Sequence, residues 1–243
     1  MRQSLFEIVS NRNLCTNTWE MLLRGDTSDI SAAGQFVQLL LDGHYLRRPI
    51  SVCDVQGNLL TIVYKVVGSG TADMSAYPAG KKIDVLTGLG NGYDLSLSGD
   101  APLLLGGGAG VPPMLYLAKL LISQGKSVTA ILGFNTREEI FYREKFESLG
   151  ARTIIATADG SMGVKGFVTD AMRGLAYSVT FACGPEPMLK AVYNASSTTG
   201  QYSFEERMGC GFGACMGCSC QTKYGTKRIC KDGPVLTKEE IVW

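Results

Sequence analysis

Five of the chain's eight cysteines fall within 21 residues: Cys210, Cys215, Cys218, Cys220 and Cys230. The first three stand at C-x4-C-x2-C, the spacing of plant-type [2Fe–2S] ligation, and Cys230 offers a fourth thiolate further along. Gly209, Gly211, Gly213 and Gly217 are interleaved with them. Lacking a Cβ, these glycines let backbone N–H groups close on sulfur. Cys220 is the odd thiol, because two ligands one residue apart at 218 and 220 would strain the loop.

Other uses of cysteine fit less well. Zinc prefers two separated C-x2-C knuckles, and only one close pair stands here beside the C-x4-C. Disulfides suit exported proteins, and the N-terminus Met1-Arg-Gln-Ser-Leu-Phe-Glu has no apolar core of signal-peptide length. An iron–sulfur cluster is the leading expectation, with zinc or structural cysteines as the alternatives. Such a cluster moves one electron at a time, so the remaining residues must supply something to exchange electrons with.

At 243 residues the chain has room for two modest domains and a small appendage. Its 45% apolar and 19% charged residues describe an ordinary globular protein. A net charge of +1 argues against nucleic acid or an acidic membrane surface as the main partner. No run approaches the roughly 18 apolar residues of a membrane span, so a cytoplasmic protein is expected.

Residues 1–99 read as short strands: Leu5–Val9, Trp19–Leu23, Gln35–Leu41, Ile50–Val52, Leu59–Val66 and Lys82–Leu86. Turn formers separate them, and six strands at this spacing predict a small antiparallel barrel. A short helix is expected over Thr71–Tyr77. From Pro102 the texture changes. Strands Leu103–Leu105, Ser127–Leu132, Ala151–Ala156 and Ser178–Ala182 alternate with helical stretches Met114–Gln124, Arg137–Ser148 and Phe167–Arg173 and one opening at Pro185. That alternation predicts a doubly wound α/β domain over 100–200. Residues 201–243 hold the cysteines. Only 33 residues follow Cys210, too few for an independent ferredoxin-sized domain, so the cluster region should pack against the rest. The expected fold class is therefore multi-domain, an antiparallel β-barrel followed by an α/β layer and a small C-terminal iron–sulfur region.

Gly106-Gly107-Gly108-Ala-Gly110 joins a strand to a helix, where backbone N–H groups and the positive helix end can face a phosphate. The G-x-G-x-x-G fingerprint is not met, since its third glycine would fall on Val111, and no acid ends the next strand. The loop is either a phosphate site or a tight structural turn. Cys183-Gly-Pro185 ends a later strand at the same carboxyl edge. Taken alone it reads as a buried cysteine before a proline that starts a helix. Arg47-Arg48-Pro49-Ile50-Ser51 sets two guanidinium groups beside a strand, suited to a diphosphate or else a solvated surface pair. Val63-Tyr64-Lys65, then Gly68-Ser-Gly70-Thr71, opens a helix and gives a second place for an anion. His44, the only histidine, reads as a turn residue after Asp42-Gly43.

Together, Arg48–Ser51, Gly70-Thr71, Gly88-Leu-Gly-Asn-Gly92, Gly106–Pro112 and Cys183–Pro185 stand in an order that resembles the ferredoxin reductase-like flavoproteins. Glu205–Cys218 and Cys230-Lys-Asp-Gly-Pro234-Val look like the electron-transfer subunits of dihydroorotate dehydrogenase B within that group. The resemblance implies FAD in the barrel, NAD in the α/β domain and a [2Fe–2S] cluster on Cys210, Cys215, Cys218 and Cys230. It places Arg48, Pro49, Ile50, Ser51, Val63, Tyr64, Lys65, Gly70 and Thr71 around FAD, and Gly107, Gly108 and Cys183 around the nicotinamide cofactor. Ile50 stands where many relatives carry a tyrosine. The implied partner is an FMN-containing dihydroorotate dehydrogenase catalytic subunit, in a heterotetramer of two copies of each, feeding pyrimidine biosynthesis. A reductase for another multicomponent redox enzyme, such as an oxygenase, and a zinc-binding interaction protein are the competing readings.

Overall fold

The computed structural model describes all 243 residues. Six strands close into a barrel: β1 (Arg2–Cys15), β2 (Thr18–Arg24), β3 (Phe36–Leu40), β4 (Arg48–Gln56), β5 (Leu59–Lys65) and β6 (Lys82–Leu89). Their order is β1-β2-β5-β4-β3-β6, and every pairing is antiparallel. Closure leaves the barrel no free edge. The period of two decides which side chains fill it. Val37 and Leu39 of β3 point into the barrel core with Ile62, Tyr64 and Val85. Phe36, on the opposite face of β3, joins a second core beneath the adjoining sheet, with Leu86 and Leu89 of β6. Helix α1 (Ser69–Ser75) lies between β5 and β6.

The second layer follows as β7 (Leu103–Gly107), α2 (Val111–Ser123), β8 (Thr129–Phe134), α3 (Arg143–Ser148), β9 (Arg152–Thr157), β10 (Val164–Lys165), α4 (Val168–Ala171), β11 (Thr180–Cys183), α5 (Glu186–Ala195) and β12 (Gly200–Ser203). The tail contributes a hairpin, β13 (Ser219–Thr222) and β14 (Gly225–Arg228), then α6 (Ile229–Asp232) and β15 (Val235–Thr237). The sheet runs β10-β9-β8-β7-β11-β12-β15, parallel except for β15 against β12. The strand order reverses between β7 and β11, the crevice where open α/β sheets bind ligands. No helix is long and apolar enough to cross a membrane.

Several elements depart from the sequence expectation: strands β10, β12, β13 and β14 and helix α6 are not among those expected, and two further departures shape the fold. The helix expected over Arg137–Ser148 is broken: a single 3-10 turn covers Arg137–Glu139, Ile140 is extended, and Tyr142 is left-handed at φ 66° before α3 begins. The break lets Phe141 and Tyr142 both be buried, with the Tyr142 hydroxyl donating to Glu20 on barrel strand β2. The edge strand β15 was not expected. It welds the cysteine tail to the sheet, so that Cys218, Ile229, Cys230, Leu236 and Ile241 share a core with Phe36 of the barrel and Leu105 of β7. The expectation that the cluster region packs against the rest is met in this way. The Gly88–Gly92 segment clamps the same tail: Asn91 Nδ2 donates to the Val235 carbonyl at 2.8 Å and its Oδ1 accepts from the Val235 N–H at 3.1 Å.

Candidate functional site

The thiols come together as two pairs. Around Cys210, the backbone N–H groups of Ala214 and Cys215 donate to its sulfur at 3.2 and 3.4 Å. Burial pushes the Cys210 thiol up, yet the N–H groups of Cys215 and Phe212, the Cys215 side chain and the Ala214 N–H outweigh it and bring the pKa down to about 6. A thiol so placed is a thiolate at neutral pH, the form that binds metal. In the second pair the Cys230 N–H donates to Cys218 Sγ at 3.4 Å. Both residues of this pair are buried, and Cys230 is pushed up to about 12 by burial, by the Cys218 thiol, and by charge on Cys218 and Cys210. No three acidic, histidine or cysteine side chains converge on one point. Two pairs are what a two-iron cluster asks for, each iron completing its coordination with two thiolates. Cys220, on β13, lies outside both pairs and is raised by burial and by charge on Glu206 and Cys218.

Arg228 is a residue the sequence reading missed. Its Nη1 donates to the Gly213 carbonyl at 3.0 Å while its Nε pairs with Asp232 at 2.9 Å. It therefore braces the loop and sets a cation near Cys218 and Cys230.

On the barrel, Arg48–Ser51 form the start of β4 opposite β3, with Gln38 across from Pro49 and Phe36 across from Ser51. The Arg48 guanidinium lies over Gly70: a Cβ there would fall 2.5 Å from Arg48 Nε. His44 orients it, with Nδ1 3.0 Å from Arg48 Nη2 and Nε2 2.7 Å from Asp73 of α1. The lone histidine is thus a turn residue with a positioning task. Thr71 is committed to its own helix start, where its hydroxyl accepts from the Val67 N–H at 3.0 Å and donates to the Gly68 carbonyl at 3.1 Å. Tyr64 is buried, its hydroxyl donating to Asn11 at 2.8 Å, and burial pushes its pKa up to about 12.

A small cleft opens between the two layers, where Val63, Tyr64 and Lys65 of β5 face Gly108, Ala109, Phe134 and Phe141. It brings two separately read stretches together. The glycines of the loop have distinct tasks. A Cβ on Gly110 would lie 2.0 Å from the Cys183 carbonyl oxygen, and one on Gly107 would lie 2.4 Å from Met188 Sδ. These two serve close packing at the strand-order switch. Gly108, at φ +51°, has open space where its side chain would be and faces the cleft. Since Pro112 and Pro113 occupy the first turn of α2, two N–H donors are missing there, and the loop suits close contact better than a full phosphate cradle. Cys183 is buried, its thiol pushed up by burial and by Glu205. Glu205 is raised by desolvation from the protein around it although its own side chain is exposed, and it was not singled out from sequence, where it is one of two adjacent acids.

The sequence matches two described families: the iron–sulfur cluster binding domain of dihydroorotate dehydrogenase B over residues 205–242, and an oxidoreductase NAD-binding domain over residues 104–194. It is 44% identical to the dihydroorotate dehydrogenase B (NAD(+)) electron transfer subunit of Bacillus pumilus (strain SAFR-032), covering 99% of this chain and 98% of that protein. The chain belongs to the family of dihydroorotate dehydrogenase B electron transfer subunits. The Geobacillus sp. (strain WCH70) member is 42% identical over 100% of this chain and 99% of its own length. Among solved structures, one describing an NADH-dependent reduced ferredoxin–NADP oxidoreductase aligns with TM-score 0.89 and 30% identity over 99% of this chain and 90% of that one. The ferredoxin reductase of carbazole 1,9a-dioxygenase shares the fold at TM-score 0.71 and 19% identity, over 80% of this chain and 65% of that one. As a family member, this protein is an electron-transfer subunit with NAD-binding and iron–sulfur-binding domains, and it works with a catalytic partner subunit.

Proposed function

We propose that this chain carries electrons from an FMN-containing dihydroorotate dehydrogenase subunit to NAD⁺, as half of a cytoplasmic heterotetramer with two copies of each subunit that serves pyrimidine biosynthesis. Residues 1–99 hold FAD, residues 100–200 hold NAD, and residues 201–243 hold a [2Fe–2S] cluster on Cys210, Cys215, Cys218 and Cys230. The observation that carries this reading is that both other regions adjoin the barrel: the cysteine loop and the Arg48–Ser51 segment both border β3, and the β5 cleft adjoins Gly108.

When bound, the cluster handles single electrons, nicotinamide takes a pair, and FAD joins the two regimes. The chain's own residues set the positions. Arg48, held by His44, pairs with the flavin diphosphate, while Pro49, Ile50 and Ser51 form the wall of its site. Val63, Tyr64 and Lys65 line the floor, with Gly70 and Thr71 completing the helix end beneath Arg48. Gly108 allows the nicotinamide close approach, Gly107 holds the loop tightly against Met188 beside it, and the buried Cys183 and Tyr93 exclude water behind it.

Co-expression with the catalytic subunit tests this. Both chains should copurify, and dihydroorotate should reduce NAD⁺ only when both are present. The structural likeness to a ferredoxin–NADP oxidoreductase supports a second reading in which the partner is a ferredoxin. Copurification with a soluble ferredoxin, and no dihydroorotate-dependent reduction of NAD⁺, would favour that reading instead.

A further inference from the structure

Gln38 is fully buried on β3, and neither its Nε2 nor its Oε1 has a hydrogen-bond partner within the chain. Burying an amide without partners costs free energy, so its retention in an otherwise apolar strand calls for a reason. The barrel's alternation supplies the direction. Val37 and Leu39 face the barrel interior, so Gln38 faces outward with Phe36, onto the side that the tail covers. There it meets the cysteine loop: a Cβ on Gly211, the residue after Cys210, would fall 2.3 Å from Gln38 Nε2 and 2.6 Å from Oε1. Directly across the ladder stands Pro49, inside the Arg48–Ser51 segment assigned to the flavin. The amide therefore occupies the strip of protein between those two sites.

We propose that Gln38 is a positioning residue for electron transfer, its Nε2 donating a hydrogen bond to a sulfur at the Cys210 end of the cluster, with the Gly211 backbone giving way to admit it. The inference rests on the cluster assignment made above. A donor to a cluster sulfur favours the reduced form, which carries one more negative charge, and so raises the potential. Gly211 is then required to be glycine by the amide itself, in addition to its φ of +79°.

The test uses the complete chain, purified anaerobically with its cofactors, comparing wild type with Gln38→Leu and Gly211→Ala. Leucine is close to glutamine in shape and removes the unpaired amide, so the fold should survive. Loss of one such bond should shift the cluster's reduction equilibrium about tenfold toward the oxidised form, or about 59 mV for one electron, read by an EPR-monitored titration. Gly211→Ala, by displacing the amide, should shift it in the same direction. In D₂O, pulsed EPR of the reduced cluster should show an exchangeable deuteron in wild type that Gln38→Leu lacks. An unchanged cluster potential, or a shift in the flavin potential alone, overturns the proposal while leaving the cluster assignment standing. A wild-type preparation free of iron overturns both.

Discussion

Thiolates that are to hold iron must be kept from reprotonating, and the cysteine loop does this unevenly. Cys210 is served by several backbone donors and brought down to about 6, whereas Cys230 is buried and pushed up to about 12. Metal binding must then displace a proton from the inner pair, so assembly should be favoured by rising pH. Replacing Cys210, Cys215, Cys218 or Cys230 singly with serine should abolish or grossly alter the cluster's visible and EPR spectra. Cys220→Ser should leave iron content at the wild-type level, because that sulfur lies outside both pairs; iron lost with Cys220 would reassign the fourth ligand. Of the two cations assigned to the flavin, Lys65 already faces Glu139 at 3.9 Å, which leaves Arg48 to meet the diphosphate. Hydrogen bonds to charged groups contribute about 1.5–3 kcal/mol, so Arg48→Leu should weaken FAD binding roughly tenfold to a hundredfold, measured by equilibrium titration of apoprotein. His44→Ala should weaken it less, since it acts only through the guanidinium.

Among the elements, β3 has the most to do, and it was legible only as an apolar strand. Phe36 faces one core and Val37 and Leu39 the other, Leu40 is exposed, and the one amide in the strand reads as noise until the tail is folded against it. The barrel strands, the glycine loop and the cysteine spacing were visible because each is a local pattern. The break before α3 was not, because Tyr142 adopts a left-handed conformation to reach Glu20, a partner 122 residues away. Glu20 joins barrel to α/β layer: Arg12 donates to one oxygen, Tyr142 and Lys145 to the other. Burial raises its pKa, but Lys145, Tyr142 and Arg12 outweigh this and hold it below the ordinary carboxylate value. A carboxylate lowered in the fold lends stability that is complete above the unfolded value near pH 4.3 and disappears as pH falls through the lower folded value. Glu20→Gln should therefore cost about 1–3 kcal/mol at pH 7 and flatten the acid limb of the melting-temperature profile. An acid limb as steep as that of wild type would place the pH dependence elsewhere.

Across the whole molecule, topology explains why residues far apart in sequence converge. The strand order reverses between β7 and β11, which sets Gly108 and Cys183 at one crevice, and the barrel packs its β5 edge over it. The tail then crosses back, pairs β15 with β12 and delivers the cysteine loop to β3. None of this return path was readable from spacing, because β12 and β15 are only four and three residues long and gain their stability from each other and from the shared core. The account requires that electrons entering at nicotinamide reach iron within this one chain. An anaerobic titration of the purified subunit with NADH, followed by visible absorption and low-temperature EPR, measures that directly. Bleaching of the flavin together with a reduced [2Fe–2S] signal is the predicted result. Protein that contains no iron and sulfide, or a cluster that stays oxidised after the flavin is fully reduced by NADH, would contradict it.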